Sequence, residues 1–319
     1  MALSYKRCAA IILMVVAAVL AAGGCGSGTS TVRPADAGAA SEDFAKLVAS
    51  SNVDAVRYLY PTTTGSRDDR QNWADLFMPK NAQADQSAPL VILVHGGAWR
   101  AQIGADSFVT FARRLAERGL AVLNIEYRRV GSCGGWPTTF KDVAAALDFV
   151  PEIAAAVPAI DAQHAVIVGH SAGGQLAMWA GTRDRLRANE IGANPQFDPA
   201  AAISLAGPLD MRHAVVLGDD RIVTALGGTP EHVPSRYQSV DPIQNLDPQM
   251  PVIAMAGSRD TVVPPVLSQD YVAAAKAAGG NARFVMVEGA DHPSIVDPSA
   301  PTFQLVLETI SRSAHDAAG

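Results

Sequence analysis

Cysteine is scarce in this chain: its 319 residues hold three, Cys8, Cys25 and Cys133. No cysteine pair stands at zinc-ligand spacing, and no His-Glu-x-x-His run occurs, so the common metal-ligand patterns are missing. Basic clusters are equally sparse. With 25 basic against 31 acidic residues and a net charge of −6, the chain lacks the basic footprint that nucleic-acid binding requires. Arg128-Arg129 and the arginines from Arg183 to Arg187 read as solvated helix or loop faces. No glycine-rich phosphate loop is present, no dinucleotide fingerprint fits, and no internal repeat appears. No cofactor is expected.

The one extended apolar run is residues 9–22. It is shorter than the ~20 residues of an ordinary spanning helix, and it follows the basic pair Lys6-Arg7. That order, ending in small residues, predicts a signal peptide over 1–24. Residues 26–41 are rich in Gly, Ser, Thr and Ala, as in a flexible tether. The remainder, 53–319, is long enough for one large core.

Apolar strands alternate with helix-periodic segments along that remainder. Strands are predicted at 53–59, 72–78, 90–94, 120–127, 165–168, 201–206, 251–256 and 283–287, the first two as edge strands. Helices are predicted over 42–50, 105–118, 137–150, the segment after residue 171, 265–278 and 302–313, with His315 in a frayed tail. The alternation implies an α/β fold with a mostly parallel sheet. The stretch 207–250 interrupts it, rich in Pro, Asp and Gly, and reads as a small, partly helical cap-like insertion. Asp142 reads as a helix-surface or capping residue.

Gly169-His170-Ser171-Ala172-Gly173 fits Gly-x-Ser-x-Gly after the strand 165–168. This pattern places a serine on a tight strand-to-helix turn, where the backbones come so close that only glycine fits on either side. Upstream, the strand 90–94 runs into His95-Gly96-Gly97-Ala98-Trp99, a His-Gly-Gly loop. Each motif follows an apolar strand, and the two together outweigh either one.

These residues resemble the α/β-hydrolases of the esterase/lipase group that carry a His-Gly-Gly oxyanion motif. The likeness covers about residues 53–312 and is closest to acetyl-esterase-, feruloyl-esterase- and kynurenine-formamidase-like enzymes. It implies an α/β-hydrolase fold, helices on both faces of the sheet, and a nucleophile Ser171 followed in order by an acid and a histidine. Asp260, in Gly257-Ser258-Arg259-Asp260, and His292, after Asp291, fill those places on loops that follow successive strands. Parallel strands gather such loops at their carboxyl edge. Asp291 and Asp297 are rival acids, the first adjacent to the histidine and the second after it. The resemblance gives oxyanion donors in the amides of Ala172 and of Gly96 or Gly97. Trp99 and Trp136 are candidates for the substrate pocket.

Ala22-Gly23-Gly24-Cys25 resembles a bacterial lipobox, although Ala22 stands where the pattern prefers leucine. It implies lipidation of Cys25 and a membrane-anchored, exported protein; the alternative is a secreted one. No internal disulfide is expected if Cys25 carries lipid. The expected reaction is hydrolysis of small-molecule carboxylic esters with small or medium acyl groups through an acyl-serine. Amide hydrolysis, and a binding lipoprotein without turnover, are the competing readings. Oligomeric state is left open.

Overall fold

The computed structural model describes residues 51–319 apart from Thr64. The predicted leader, the tether, Cys25 and the helix at 42–50 lie outside the described residues. Eight strands form one sheet: β1 (Val53–Leu59), β2 (Trp73–Pro79), β3 (Ala88–Val94), β4 (Ala121–Ile125), β5 (Ile160–His170), β6 (Ala201–Leu205), β7 (Val252–Gly257) and β8 (Ala282–Val287). Their order is β1-β2-β4-β3-β5-β6-β7-β8. β2 runs antiparallel to both β1 and β4, and the remaining pairs are parallel. Every predicted strand is present. β2, however, is not an edge, because β1 covers its outer side; its one charged residue, Asp75, is buried and takes a two-pronged hydrogen bond from Arg57 at 2.7 and 2.8 Å.

The interior strand β3 and the Val166-Ile167-Val168 stretch of β5 are apolar throughout because both of their faces are covered. Val91, Leu93, Val166, Val168 and Ile203 form one core with α1 (Val109–Ala116) and α9 (Phe303–Ala318). The other face carries α4 (Ala172–Ala180), which packs on β5 and β6. α2 (Thr138–Asp148), α3 (Val150–Ala156) and α8 (Val266–Ala277) complete the alternation. The segment 105–118 opens with a single 3-10 turn, Ala105–Phe108, before α1. The helix after Pro137 ends at Asp148, and Pro151, suited to a first helical turn, opens the separate helix α3. The C-terminus is not frayed: α9 carries His315, beside buried Ala314. The insertion holds α5 (Met211–Val216), α6 (Asp220–Leu226) and α7 (Pro234–Val240), so its partly helical reading holds. Among the described residues no helix is long and apolar enough to cross a membrane.

Several charged residues expected at the surface are instead buried and paired. Asp142 is fully buried; its carboxylate accepts from the Arg128 guanidinium at 2.7 and 2.8 Å and from the Arg128 amide at 3.0 Å. Arg129 donates to the carbonyl of Ile103 and lies 3.4 Å from Glu126. Arg183 is buried against Asp148 at 2.6 Å and the carbonyl of Phe197 at 3.2 Å. Local sequence spacing carries no sign of the partners Asp142, Ile103, Asp148 and Phe197. The expectation of no internal disulfide if Cys25 carries lipid turns on Cys8 and Cys25, which lie outside the described residues.

Candidate active site

Ser171 stands between β5 and α4 with φ 54° and ψ −122°, a strained conformation for a residue with a side chain. The turn is tied down on both sides. The Ser171 amide donates to the Leu205 carbonyl at 2.8 Å, and the Ser171 carbonyl accepts from Gly174 at 2.8 Å and Gln175 at 3.1 Å. The glycines are sterically required. A Cβ on Gly169 would lie 1.9 Å from the Gly173 carbonyl oxygen, and one on Gly173 would lie 2.1 Å from that of Val94.

The hydroxyl of Ser171 is 2.8 Å from Nε2 of His292, and Nδ1 of His292 is 2.7 Å from Oδ2 of Asp260. The other carboxylate oxygen of Asp260 accepts from the amides of Val262 at 2.8 Å and Val263 at 2.9 Å. Burial alone would raise the Asp260 carboxyl, but the hydrogen bonds from His292 and the two amides outweigh it and hold the group below its ordinary value. The rivals stay apart. Asp291 accepts from the Ser294 amide, and Asp297 from Ser299, both in exposed turns.

His170 packs against His292, with ring centroids 4.8 Å apart. Burial, and next the nearby charge of His292, push it down to about 3. It is therefore neutral, and its Nε2–H donates to the His292 carbonyl at 3.0 Å. The residue before Ser171 holds the loop of His292.

The His-Gly-Gly loop lies over the same turn. A Cβ on Gly96 would meet the His170 carbonyl at 2.8 Å and the Ser171 Cβ at 3.2 Å, so the loop can approach Ser171 only through glycine. Gly97 adopts φ 112°. Buried His95 orders the loop: Nδ1 is 2.7 Å from the Gly96 carbonyl, Nε2 is 2.9 Å from Glu126, and Tyr127 stacks on the ring at 4.3 Å. Glu126 also accepts from the Ala105 amide at 3.0 Å. Burial would raise its carboxyl, yet His95, Arg129 and the Tyr127 amide hold it low. Ala172 begins α4, so its amide belongs to the open N-terminal turn of that helix.

The cleft over Ser171 has a volume of ≈ 450 Å³, and Gly96, Gly97, Ile103, Phe108, His292 and Val296 are among its walls. The two tryptophans are not. Trp99 is 2% exposed; left-handed backbone at Ala98 and Trp99 turns the chain so that the indole enters the core. Trp136 packs on Phe140 with centroids 5.5 Å apart, below Arg236, and is not part of the cleft lining. Sequence reasoning missed Arg100 and Arg221, which do line it. Arg221 brings the insertion to the site: it holds Asp219 at 2.6 and 2.7 Å and donates to the Val262 carbonyl at 2.9 Å, beside Asp260. Among the described residues no group of three or more His, Cys, Asp or Glu is placed to hold a metal.

A family model described as BD-FAE matches residues 74–274. The chain belongs to the BD-FAE family. It is 27% identical over 225 residues to the esterase LipQ of Mycobacterium tuberculosis, covering 66% of this chain and 51% of LipQ. It is 26% identical over 272 residues to LipC of the same organism, covering 81% of this chain and 67% of LipC. The chain thus spans about half the length of the first of these relatives. A truncated carbohydrate esterase from gut microbiota superposes with a TM-score of 0.70 at 22% identity, covering 83% of this chain and 98% of that one. The propionate-bound esterase Est2 of Thermogutta terrifontis gives 0.65 at 22%, covering 83% and 94%. The fold is that of the α/β-hydrolases, with the mostly parallel sheet and flanking helices that the sequence implied.

The insertion also carries a buried carboxyl, Asp241. It accepts from the Met211 amide at 2.9 Å and from Gln244 at 2.8 Å, and so holds the start of α5. Burial, against those hydrogen bonds, pushes its carboxyl from 3.8 up to about 6. The folded value lies above the unfolded one, so ionised Asp241 disfavours the fold. Its contribution weakens as pH rises from about 4 to about 6 and is level beyond. Asp241→Asn is therefore expected to gain thermal stability on the wild type progressively across that window. Melting temperatures of both proteins from pH 4 to 8 check this, and a difference constant with pH contradicts it.

Proposed function

We propose that this chain is a serine hydrolase cleaving carboxylic esters of small or medium acyl groups. The observation that carries the reading is the continuous run from the Ser171 hydroxyl through His292 to Asp260, at 2.8 and 2.7 Å, opening on a cleft beside Gly96 and Gly97. The esterase names of LipQ and LipC support ester substrates, and the cleft of ≈ 450 Å³ suits short acyl groups.

A serine hydroxyl is a weak nucleophile until a base takes its proton. His292 Nε2 accepts that proton as the Ser171 oxygen attacks the ester carbonyl, and Asp260 holds the imidazole and stabilises the imidazolium. The carbonyl oxygen becomes an oxyanion, met by the amides of Ala172 and of Gly96 or Gly97; one such donor is worth about 2.7–4 kcal/mol in a well-studied serine hydrolase. His292 then protonates the departing alkoxide. Water, activated by His292, attacks the acyl-Ser171 and releases the acid.

Hydrolysis of p-nitrophenyl esters from acetate to palmitate, beside the matched anilides, tests the reading. Turnover that peaks at short or medium esters and exceeds that of the anilides supports it. Anilides cleaved faster than esters replace it with amide hydrolysis.

The leader pattern supports a further part of the proposal: an exported protein anchored to the membrane through lipid on Cys25. A thioether-linked lipid on Cys25 excludes a disulfide at the same sulfur, so the mass of the mature N-terminal peptide decides between these fates. A free or disulfide-linked Cys25 leaves a secreted protein.

A further inference from the structure

We propose that the cleft is built for esters that carry a carboxylate, held by Arg100; this rests on the hydrolase reading above. The segment bearing Arg100 is fixed on both sides. Ala98 and Trp99 take φ 56° and 55°. The Arg100 amide donates to the Gly97 carbonyl at 3.0 Å, Ala101 donates to Val130 at 3.0 Å, and Val130 donates to Trp99 at 2.8 Å. The backbone is thus pinned directly after the glycines beside Ser171, with the Trp99 indole in the core and Arg100 exposed along the cleft.

Its guanidinium has no hydrogen-bond or ion-pair partner among the described residues, unlike the buried arginines of the core. The second arginine of the lining, Arg221, is already taken up by the two oxygens of Asp219. Among the described residues no aspartate or glutamate lines the cleft. The chain as a whole is net negative, −6, so its overall field repels anions, and the positive charge beside the nucleophile is a local feature. A guanidinium presents a planar fork of donors that matches a carboxylate. One unpaired guanidinium balances one carboxylate; the second charge of a phosphate would be left without a partner. The apolar walls at Ile103, Phe108 and Val296 then take the uncharged part of the substrate.

Two matched substrate pairs read the inference. Monoethyl succinate against ethyl levulinate places the charge in the acyl part. Acetoxyacetate against acetoxyacetone places it in the alcohol part. With the full chain, at least one pair is expected to show kcat/KM about tenfold higher for the anion, from a charge-assisted hydrogen bond. That ratio should collapse toward one in Arg100→Ala, recover in part in Arg100→Lys, and shrink as salt rises. Ratios near one in both pairs overturn the inference, as does a preference that survives Arg100→Ala. The Ser171→Ala protein gives a readout free of turnover: 10 mM monoethyl succinate or acetoxyacetate is expected to raise its melting temperature, and the neutral partner and the additional Arg100→Ala change are expected to abolish the rise. If none of the four esters is cleaved, the p-nitrophenyl series decides the hydrolase reading, and this melting shift alone upholds or overturns the carboxylate site.

Discussion

Ser171→Ala is expected to lower kcat on p-nitrophenyl butyrate by roughly 10⁶-fold, the scale seen when the nucleophile of a serine hydrolase is removed, while the protein stays folded. The loss is large because the hydroxyl is the atom that forms the bond. The histidine and the acid act through it, so removing them in addition costs little more. Folding should survive, since the ties at this turn run through backbone atoms: the Ser171 amide to Leu205, and its carbonyl to Gly174 and Gln175. Asp260→Asn should retain more activity, with a loss of about 10⁴-fold, because it leaves the nucleophile and base in place and disturbs only the imidazole. Steady-state kinetics with an unfolding curve for each variant check both. Near-wild-type turnover in Ser171→Ala would falsify the assignment.

Gly169→Val is expected to cost more than the ~3 kcal/mol upper range of ordinary overpacking and to leave little soluble folded protein. A Cβ at this position overlaps the Gly173 carbonyl carbon at 2.3 Å as well as its oxygen at 1.9 Å. Neither atom belongs to a side chain that can rotate away; both are in the first turn of α4. Relief requires moving that helix off β5, which carries one face of the core. Gly65 is the control. It has nothing within 4 Å of the added Cβ, so Gly65→Ala pays only the strain of φ 62°. Thermal and urea unfolding of both variants, with soluble yield, measure the contrast. Equal melting temperatures for the two would mean that the strand and helix separate more easily than their geometry indicates.

Legibility in the sequence followed a physical divide. The strands were readable because an interior strand covered on both faces must be apolar throughout, as in Leu90-Val91-Ile92-Leu93-Val94. The residues of the candidate site were readable because parallel topology gathers strand-end loops at one edge. Ser171, Asp260, His292 and the loop of Gly96 and Gly97 meet there although they are distant in sequence. The glycines at 169 and 173 announced a close approach that the structure contains. What depends on partners far along the chain was not readable. Asp142 and Arg128 each look like surface charges until β4 and α2 bring them together. The edge position of β2 was misjudged because the partner that covers it, β1, also reads as an edge. Trp99 was misplaced because nearness in sequence to the oxyanion glycines says nothing of side-chain direction, which two left-handed residues reverse. The place of Arg100, its neighbour, is hidden in the sequence for the same reason.

Covalent labelling reads out directly whether Ser171 is an activated nucleophile. A fluorophosphonate reacts preferentially with a serine whose proton a neighbouring base can take. The full chain, incubated with the probe and digested, is expected to carry one adduct, on the peptide containing Ser171. His292→Ala is expected to block it. Absence of any adduct, or labelling that persists in Ser171→Ala, would contradict the account.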